Sequence, residues 1–409
     1  MAVSGNFGVI LVHENNNMNT KTDTPFSMVL VTDTLFDTNG VSRFIQDMAS
    51  HAHLHGVSLK VITASPVETA PLPPNIVKLK PFLATRMPFY KEQYLNIVPP
   101  LYTLYKSIRS NKPEIVHIST PGPLGWAAFF IASLLRVKKA STYHTDFPAI
   151  LESNTGSPHV GRITTWVMRR FYRPMVFVFS RSKRFLPLLH DEIGIDVDKS
   201  FFLPSGTDTE KFHPCNARPK SFWKRYGIDE TATVLLYVGR LNVEKNVLFM
   251  VERFKELRRQ TRRHVALAVV GEGEYERFAD SWLEDEIHVL GVKRGEELSQ
   301  IYASSDIFLS ASETETLGQT VMEAQASGVP AVVTDKGGVT ETVVDQHTGY
   351  VLSVKAPGHW VSVLKRLVED AALREQMGVA AHRRMQKASI QSSCEAFLRK
   401  HIEVARGIE

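Results

Sequence analysis

The sequence predicts an α/β protein built from two doubly wound parallel sheets, one in each half of the chain. Three observations carry that expectation. Short apolar runs alternate with helix-length amphipathic segments along the 409-residue chain, which is the pattern of βαβ units. The runs are nearly continuous in Val, Ile and Leu, so each sheet should be covered by helices on both faces. The chain is also too long for one ordinary core and suits two domains of roughly 150–200 residues each.

In the first half the strand-like runs are MVLVTD (28–33), VSLKVITAS (57–65), IVHIST (115–120), KASTYHTD (139–146) and MVFVFS (175–180). In the second half they are TVLLYVG (233–239), HVALAVVG (264–271), IHVLG (287–291), IFLSAS (307–312) and PAVVTD (330–335). Between the halves, PSGTDTEKFHPCNARP is rich in Pro, Ser, Gly and Thr, which is linker chemistry. The expected division is 26–205 for an N-terminal domain, 206–389 for a C-terminal one, and 390–409 for a helix crossing back to the first. Residues 1–25 are polar apart from a short apolar run and lack a secretory signal pattern, so they read as an extension outside the fold, with Met18 a second candidate start. In open α/β sheets ligands bind beyond the carboxyl ends of the strands, so two such domains are expected to face each other across a cleft.

Composition narrows the classes. A chain that is 43% hydrophobic and 22% charged is a soluble globular one. A formal charge of +5 suits phosphate-bearing small molecules or an anionic membrane surface and is too weak to imply nucleic acid. Cys215 and Cys394 stand far apart with no histidine at ligand spacing, so both read as free thiols and no structural zinc is expected. The apolar stretch Leu124 to Leu135 is shorter than the ~20 residues of a membrane span and reads as a buried helix.

The chemistry concentrates just after strands. In SASETETLGQTVMEAQASGVP (310–330) a strand ends, an acidic loop follows and a helix begins near Gly318. Glu315 precedes that helix, beside backbone N–H groups without intrahelical partners, and Glu323 lies inside it. Those N–H groups favour phosphate or sugar oxygens, and both carboxylates can accept hydrogen bonds from hydroxyls. In YVGRLNVEKN (237–246) a strand ends at Gly239, with Arg240 and Lys245 across the following loop. A guanidinium fork and a mobile ammonium suit a diphosphate, whose charge grows as it leaves. The competing reading of Arg240 is a surface ion pair with Glu244.

These segments resemble the Glu-x7-Glu motif and the Gly-Arg…Lys clamp of retaining GT-B glycosyltransferases of family 4 (glycosyl transferases group 1), above all its lipid-sugar and mannosyltransferase-like members. The resemblance covers nearly all of residues 27–370. It implies two Rossmann-like domains and transfer of a hexose from a UDP- or GDP-linked donor to an acceptor hydroxyl with retention. It assigns Arg240 and Lys245 to the diphosphate, Glu315 to the hexose hydroxyls and Glu323 to the ribose, with the amides of Thr316, Leu317 and Gly318 around phosphate and sugar. VVGEG (269–273) looks like the family's strand-end glycine turn at Gly271, and Leu290-Gly291-Val292 resembles the segment that places the base. The loop Thr34–Ser42 resembles the one approaching the pyrophosphate, with Asn39-Gly40 where the family usually has two glycines. His144 matches the histidine implied to contact the hexose near its 6-hydroxyl.

For the acceptor, Asp146 could orient hydroxyls or simply form a turn. The stretch 162–173 carries Arg162, Arg169, Arg170 and Arg173 among Trp166, Phe171 and Tyr172, which suits anionic lipid headgroups or an ordinary packing helix with a basic edge. The expected partners are therefore a nucleotide-sugar donor and a lipid or saccharide acceptor, with peripheral contact to the inner face of a membrane and a cytoplasmic location. No cofactor or metal is expected, and Asp196-Val-Asp198 reads as a polar turn. The rivals are a GT-B nucleotide-sugar 2-epimerase, which would not need acceptor to release nucleotide, and a non-catalytic sugar-nucleotide-binding subunit.

Overall fold

The computed structural model describes residues 26–36, 40–66, 72–86, 94–313, 315 and 317–408. The expected extension at 1–25, Asn39 and Thr316 lie outside the described residues. The chain forms two units: one runs to Pro204 and takes up the chain again from Cys394, the other spans Ser205–Ser393.

The first unit holds strands β1 (Ser27–Thr32), β2 (Ser58–Ala64), β3 (Ile76–Leu79), β4 (Leu83–Arg86), β5 (Tyr94–Val98), β6 (Ile115–Ile118), β7 (Lys138–Tyr143), β8 (Phe177–Ser180) and β9 (Ser200–Phe202). Seven of them form one parallel sheet in the order β3-β2-β1-β6-β7-β8-β9, and β4 and β5 pair separately as an antiparallel ribbon. The second unit holds β10 (Thr233–Val238), β11 (Val265–Val270), β12 (Ile287–Gly291), β13 (Ile307–Ser310), β14 (Ala331–Thr334) and β15 (Gly349–Leu352), ordered β12-β11-β10-β13-β14-β15. Both orders run outward from the first strand and then reverse, which defines a doubly wound sheet with a switch point. The switch lies between β1 and β6 in one unit and between β10 and β13 in the other.

Burial explains why the long strands are apolar throughout. All six residues of β11 are buried, with alternate side chains entering the two cores on opposite sheet faces. The sequence reading lacks β3, β9 and β15 of the two sheets and both strands of the β4–β5 ribbon. Strand β9 is only SFF, β3 is IVKL and β15 starts on a glycine, so none carries a long apolar run.

The helix Pro123–Leu134 corrects one expectation. It is buried on its sheet side through Leu124, Ala128 and Ala132, but Phe130 is 62% and Leu134 74% exposed. An outer-layer helix has one covered face, and these two residues sit one turn apart on the other. Its N-terminus is held by Asp33 at the end of β1. The buried carboxylate accepts from the amides of Leu124 (2.9 Å) and Gly125 (3.1 Å) and from the Thr120 hydroxyl (2.9 Å). A Cβ on Gly122 would lie 2.6 Å from that carboxylate, so the STPGPLG turn is shaped to admit it. Burial raises the Asp33 pKa despite those donors.

The helix Ile390–Arg406 returns to the first sheet. Phe397 packs on Phe44 and Phe179, with ring centroids 6.0 and 5.6 Å away. Beneath them His401 Nδ1 donates to the Phe397 carbonyl (2.7 Å), so its Nε2 must accept from His117 Nδ1 (2.9 Å). His117 Nε2 then accepts from the Thr142 hydroxyl (3.0 Å). Both rings are neutral: burial pushes His401 down to about 4 and His117 well below the usual histidine range. Among the described residues, no helix is long and apolar enough to cross a membrane.

Candidate active site

The second sheet gathers its polar side chains at the switch point between β10 and β13. Past β10 the chain makes a 3-10 turn, Val243–Lys245, then Asn246 takes a left-handed conformation (φ 53°) and the helix Val247–Gln260 begins. Past β13 the acidic loop leads to Gly318, whose φ of 76° opens the helix Gln319–Ala326. The two loops are laced together. Ser312 Oγ donates to the Glu244 carbonyl (3.0 Å), Asn246 Nδ2 to the Ala311 carbonyl (3.4 Å), and Lys245 Nζ to Glu315 Oε1. The Glu315 backbone is held in turn by the Gly338 amide at 2.6 Å, from the loop after β14.

Arg240 pairs with Glu244 at 3.2 Å, so the ion pair that competed with a phosphate role is present. Its loop is pinned from below: the buried Tyr237 hydroxyl donates to the Arg240 carbonyl at 2.8 Å. A Cβ on Gly239 would fall 2.6 Å from that hydroxyl, and one on Gly271 only 1.9 Å from the Gly239 carbonyl oxygen. Both glycines have positive φ, 159° and 142°, so the close approach of these strand ends requires them.

Glu323 is not a solvated helix residue. It is 7% exposed, and its Oε2 accepts from the Tyr302 hydroxyl at 2.9 Å. Tyr302 is fully buried against Phe212 of the linker segment, and burial followed by the Glu323 charge raises its pKa well above the ordinary value. It therefore stays a proton donor, holding the carboxylate. Leu317 is half-buried beside Gly318, and Val292 follows Gly291 (φ 70°) as an exposed residue after β12.

In the first unit, Gly40 opens the helix Gly40–Leu54 and His144 follows β7. His144 Nε2 is 3.0 Å from Ser119 Oγ, and burial, then the nearby Arg181 charge, push the ring down to about 3. Asp146 takes the turn role: its Oδ1 accepts from the Ala149 amide (3.3 Å) and the Tyr143 hydroxyl (3.2 Å), capping Phe147–Thr155. Arg169 donates to the Glu192 carbonyl at 2.5 Å, whereas Arg170 lies over the exposed Trp166 ring at 5.4 Å. Asp196 pairs with Lys199 at 2.5 Å. Sequence reasoning missed Arg181, Asp33 and His401, whose signals are only a charged residue at a strand end or one histidine on an apolar helix face.

The chain thus carries two doubly wound sheets, with a Lys–Glu couple at the switch point of the second. The model for "Glycosyl transferases group 1" matches residues 220–384 and that for "Glycosyltransferase Family 4" matches 38–211. The chain belongs to this family of glycosyltransferases. It is 28% identical over 374 residues to a GDP-mannose-dependent alpha-mannosyltransferase of Mycobacterium tuberculosis, covering 90% of this chain and 94% of the relative. It is 27% identical over 316 residues to a sulfoquinovosyl transferase of Arabidopsis thaliana, covering 73% of this chain and 58% of that longer relative. Among solved structures, a sucrose-phosphate synthase from Thermosynechococcus elongatus shares the fold with a TM-score of 0.74 at 15% identity, covering 93% of this chain and all of that one.

Proposed function

We propose that this glycosyltransferase moves a hexose from a GDP- or UDP-linked donor to an acceptor hydroxyl with retention of configuration, and that the acceptor is a membrane lipid. The observation that supports the donor reading is the Lys245–Glu315 couple at the switch point of the second sheet. An arriving diphosphate would take Lys245 and Arg240 from their carboxylates, and Glu315 would then be free to accept from hexose hydroxyls. Negative charge grows on the diphosphate as the glycosidic bond breaks, so two prepositioned cations lower that barrier. Front-face attack by the acceptor, with the departing phosphate taking its proton, requires no protein nucleophile. Glu323, held by Tyr302, would receive the ribose hydroxyls. GDP-mannose is the donor to try first, because a relative matched along most of its length is named for it.

The lipid reading draws on an exposed apolar face in the first unit. Phe130 and Leu134 on the helix Pro123–Leu134 and Ile163 and Trp166 on the helix Pro158–Tyr172 stand in solvent, and Trp126 and Phe129 of the first pack on Phe171 of the second. Arg162 and Arg170 lie on the same stretch of chain as Trp166, the composition that suits an anionic bilayer surface. Release of nucleoside diphosphate from UDP-, GDP- and ADP-sugars, with and without an anionic lipid extract, tests both parts. One donor consumed only with lipid, giving a product of the donor's anomeric configuration by NMR, is the expected result. Inversion, or release independent of any acceptor, would overturn it.

A further inference from the structure

Three neighbouring strands of the first sheet deliver one polar residue each just past their carboxyl ends. Strand β6 is followed by Ser119, β7 by His144 and β8 by Arg181, and the registers Ile118↔Ser141 and Tyr143↔Ser180 place them along one edge. Ser119 and His144 bond each other. Among the described residues, none gives the Arg181 side chain a hydrogen bond at Nε or Nη2. The residue is 6% exposed, its guanidinium lies 3.9 Å over the Phe44 ring, and both of those nitrogens are buried.

The surrounding groups do not neutralise it. Asp47 acts on Arg181 only through space, with both carboxylate oxygens 3.2 Å from Arg43 Nε. Burial pushes the Cys394 thiol up to about 12, so it is no thiolate, and His144 is neutral. Burial lowers Arg181 itself only to about 10, which leaves it cationic at neutral pH. A buried charge without a hydrogen-bonding partner is costly, and a ring beneath it offsets only part of that cost. A fold that keeps such a group holds it for a ligand, and a planar fork of N–H donors matches an oxyanion.

We propose that Arg181 is the anion-binding residue of the acceptor site, taking a phosphate or carboxylate group of the acceptor while Ser119 and His144 lie beside it. This deepens the proposed transferase reading and rests on it: the acceptor, lipid or soluble, is anionic.

The test is calorimetric titration of the full chain with inorganic phosphate, in saturating GDP so that the donor's phosphate positions are filled. The wild type is expected to bind phosphate, Arg181→Met to lose about tenfold or more, and Arg181→Lys to fall between, as one charge-assisted contact predicts. Removing an unpaired buried charge should also leave the Arg181→Met melting temperature equal or higher, which a structural role for the guanidinium would reverse. Equal phosphate binding by wild type and Arg181→Met overturns the inference, as does a large drop in melting temperature. Failure of GDP itself to bind would instead strike at the donor reading. Competition by glycerol 3-phosphate and by phosphatidylglycerol vesicles, run in parallel, separates a free phosphate ester from a lipid headgroup; competition by neither also overturns it.

Discussion

In the second unit the charged side chains at the carboxyl end of the sheet are matched with one another: Lys245 with Glu315, Arg240 with Glu244, Glu323 with the Tyr302 hydroxyl. In the first unit the same end of the sheet carries, among the described residues, neutral imidazoles, a carboxylate held by amides, and a guanidinium whose buried Nε and Nη2 have no hydrogen-bond partner. The difference teaches how each sheet handles an absent ligand. Ion pairs keep the second site close to neutral, and a charged ligand enters by exchanging partners. The first site holds its polar groups by burial, so its properties respond to protons and to anions rather than to a competing partner.

The sharpest way to break that contrast is to remove the couple in the second sheet. Lys245→Ala and Glu315→Gln are each expected to slow nucleoside-diphosphate release by roughly 10²–10³-fold, the usual cost of a preorganised charge. The double variant should fall little below the worse single one, since one interacting unit has been removed. Full additivity in steady-state rates would show that the two act separately.

In the first sheet the largest effect should be on stability. Asp33→Ala strips the helix Pro123–Leu134 of its N-terminal acceptor and leaves two amides without a partner, while the Thr120 hydroxyl loses its acceptor but still accepts from the backbone amide of residue 33. The expected loss is about 2–4 kcal/mol, confined to the first unit. Hydrogen exchange resolved by peptide should show the strands β1 and β6 opening more often while β10 and β13 keep their protection.

Acid should separate the units too. His117, His144 and His401 all have folded pKa values below the ordinary 6.5, so the unfolded chain binds more protons than the folded one as pH falls below that value. The stability they contribute is complete above about pH 6.5 and declines toward about 4 for His401 and about 3 for His144, by up to about 1.4 kcal/mol per pH unit for each histidine. Asp33, raised by burial, opposes this, while His51, lowered by burial and by His55, adds to it. The first unit should therefore unfold at a higher pH than the second in an acid titration followed by exchange or proteolysis; simultaneous loss of both units would remove the basis for the contrast.

How much of this was legible in the chain depends on whether a group's partner is near in sequence. The two doubly wound sheets follow from apolar runs, and the glycines at 239, 271 and 318 from loops that begin where such runs stop. Arg240 and Glu244 pair within one turn, so that alternative could be read directly. Arg181, Asp33 and His401 could not be read this way. Their surroundings are assembled across strands and, for His401, from a helix that returns 284 residues after His117. Asp146 shows the opposite case: the turn that was one of its two readings is made by a local partner, the Ala149 amide. The exposed Phe130 and Leu134 show why an apolar stretch alone does not reveal burial: composition does not tell which face a neighbour covers.

The smallest effect tests whether the second site is tuned as well as paired. Tyr302→Phe removes one hydroxyl and leaves the ring's packing on Phe212 and Phe308 intact. Glu323 then loses a buried donor at 2.9 Å, which costs about 1 kcal/mol or somewhat more for a charged acceptor. If Tyr302 only fills the core, that cost appears in the melting temperature and nowhere else. If it aims Glu323 at the donor, the KM for the nucleotide sugar should rise by about fivefold with kcat nearly unchanged, because a contact made equally in ground and transition state has been weakened. A matching rise in the Kd of the free nucleoside diphosphate would place the loss on the nucleotide rather than the hexose. An unchanged KM and Kd would mean that Glu323 is held in place without the Tyr302 hydroxyl, and that this bond belongs to the core rather than to the donor site.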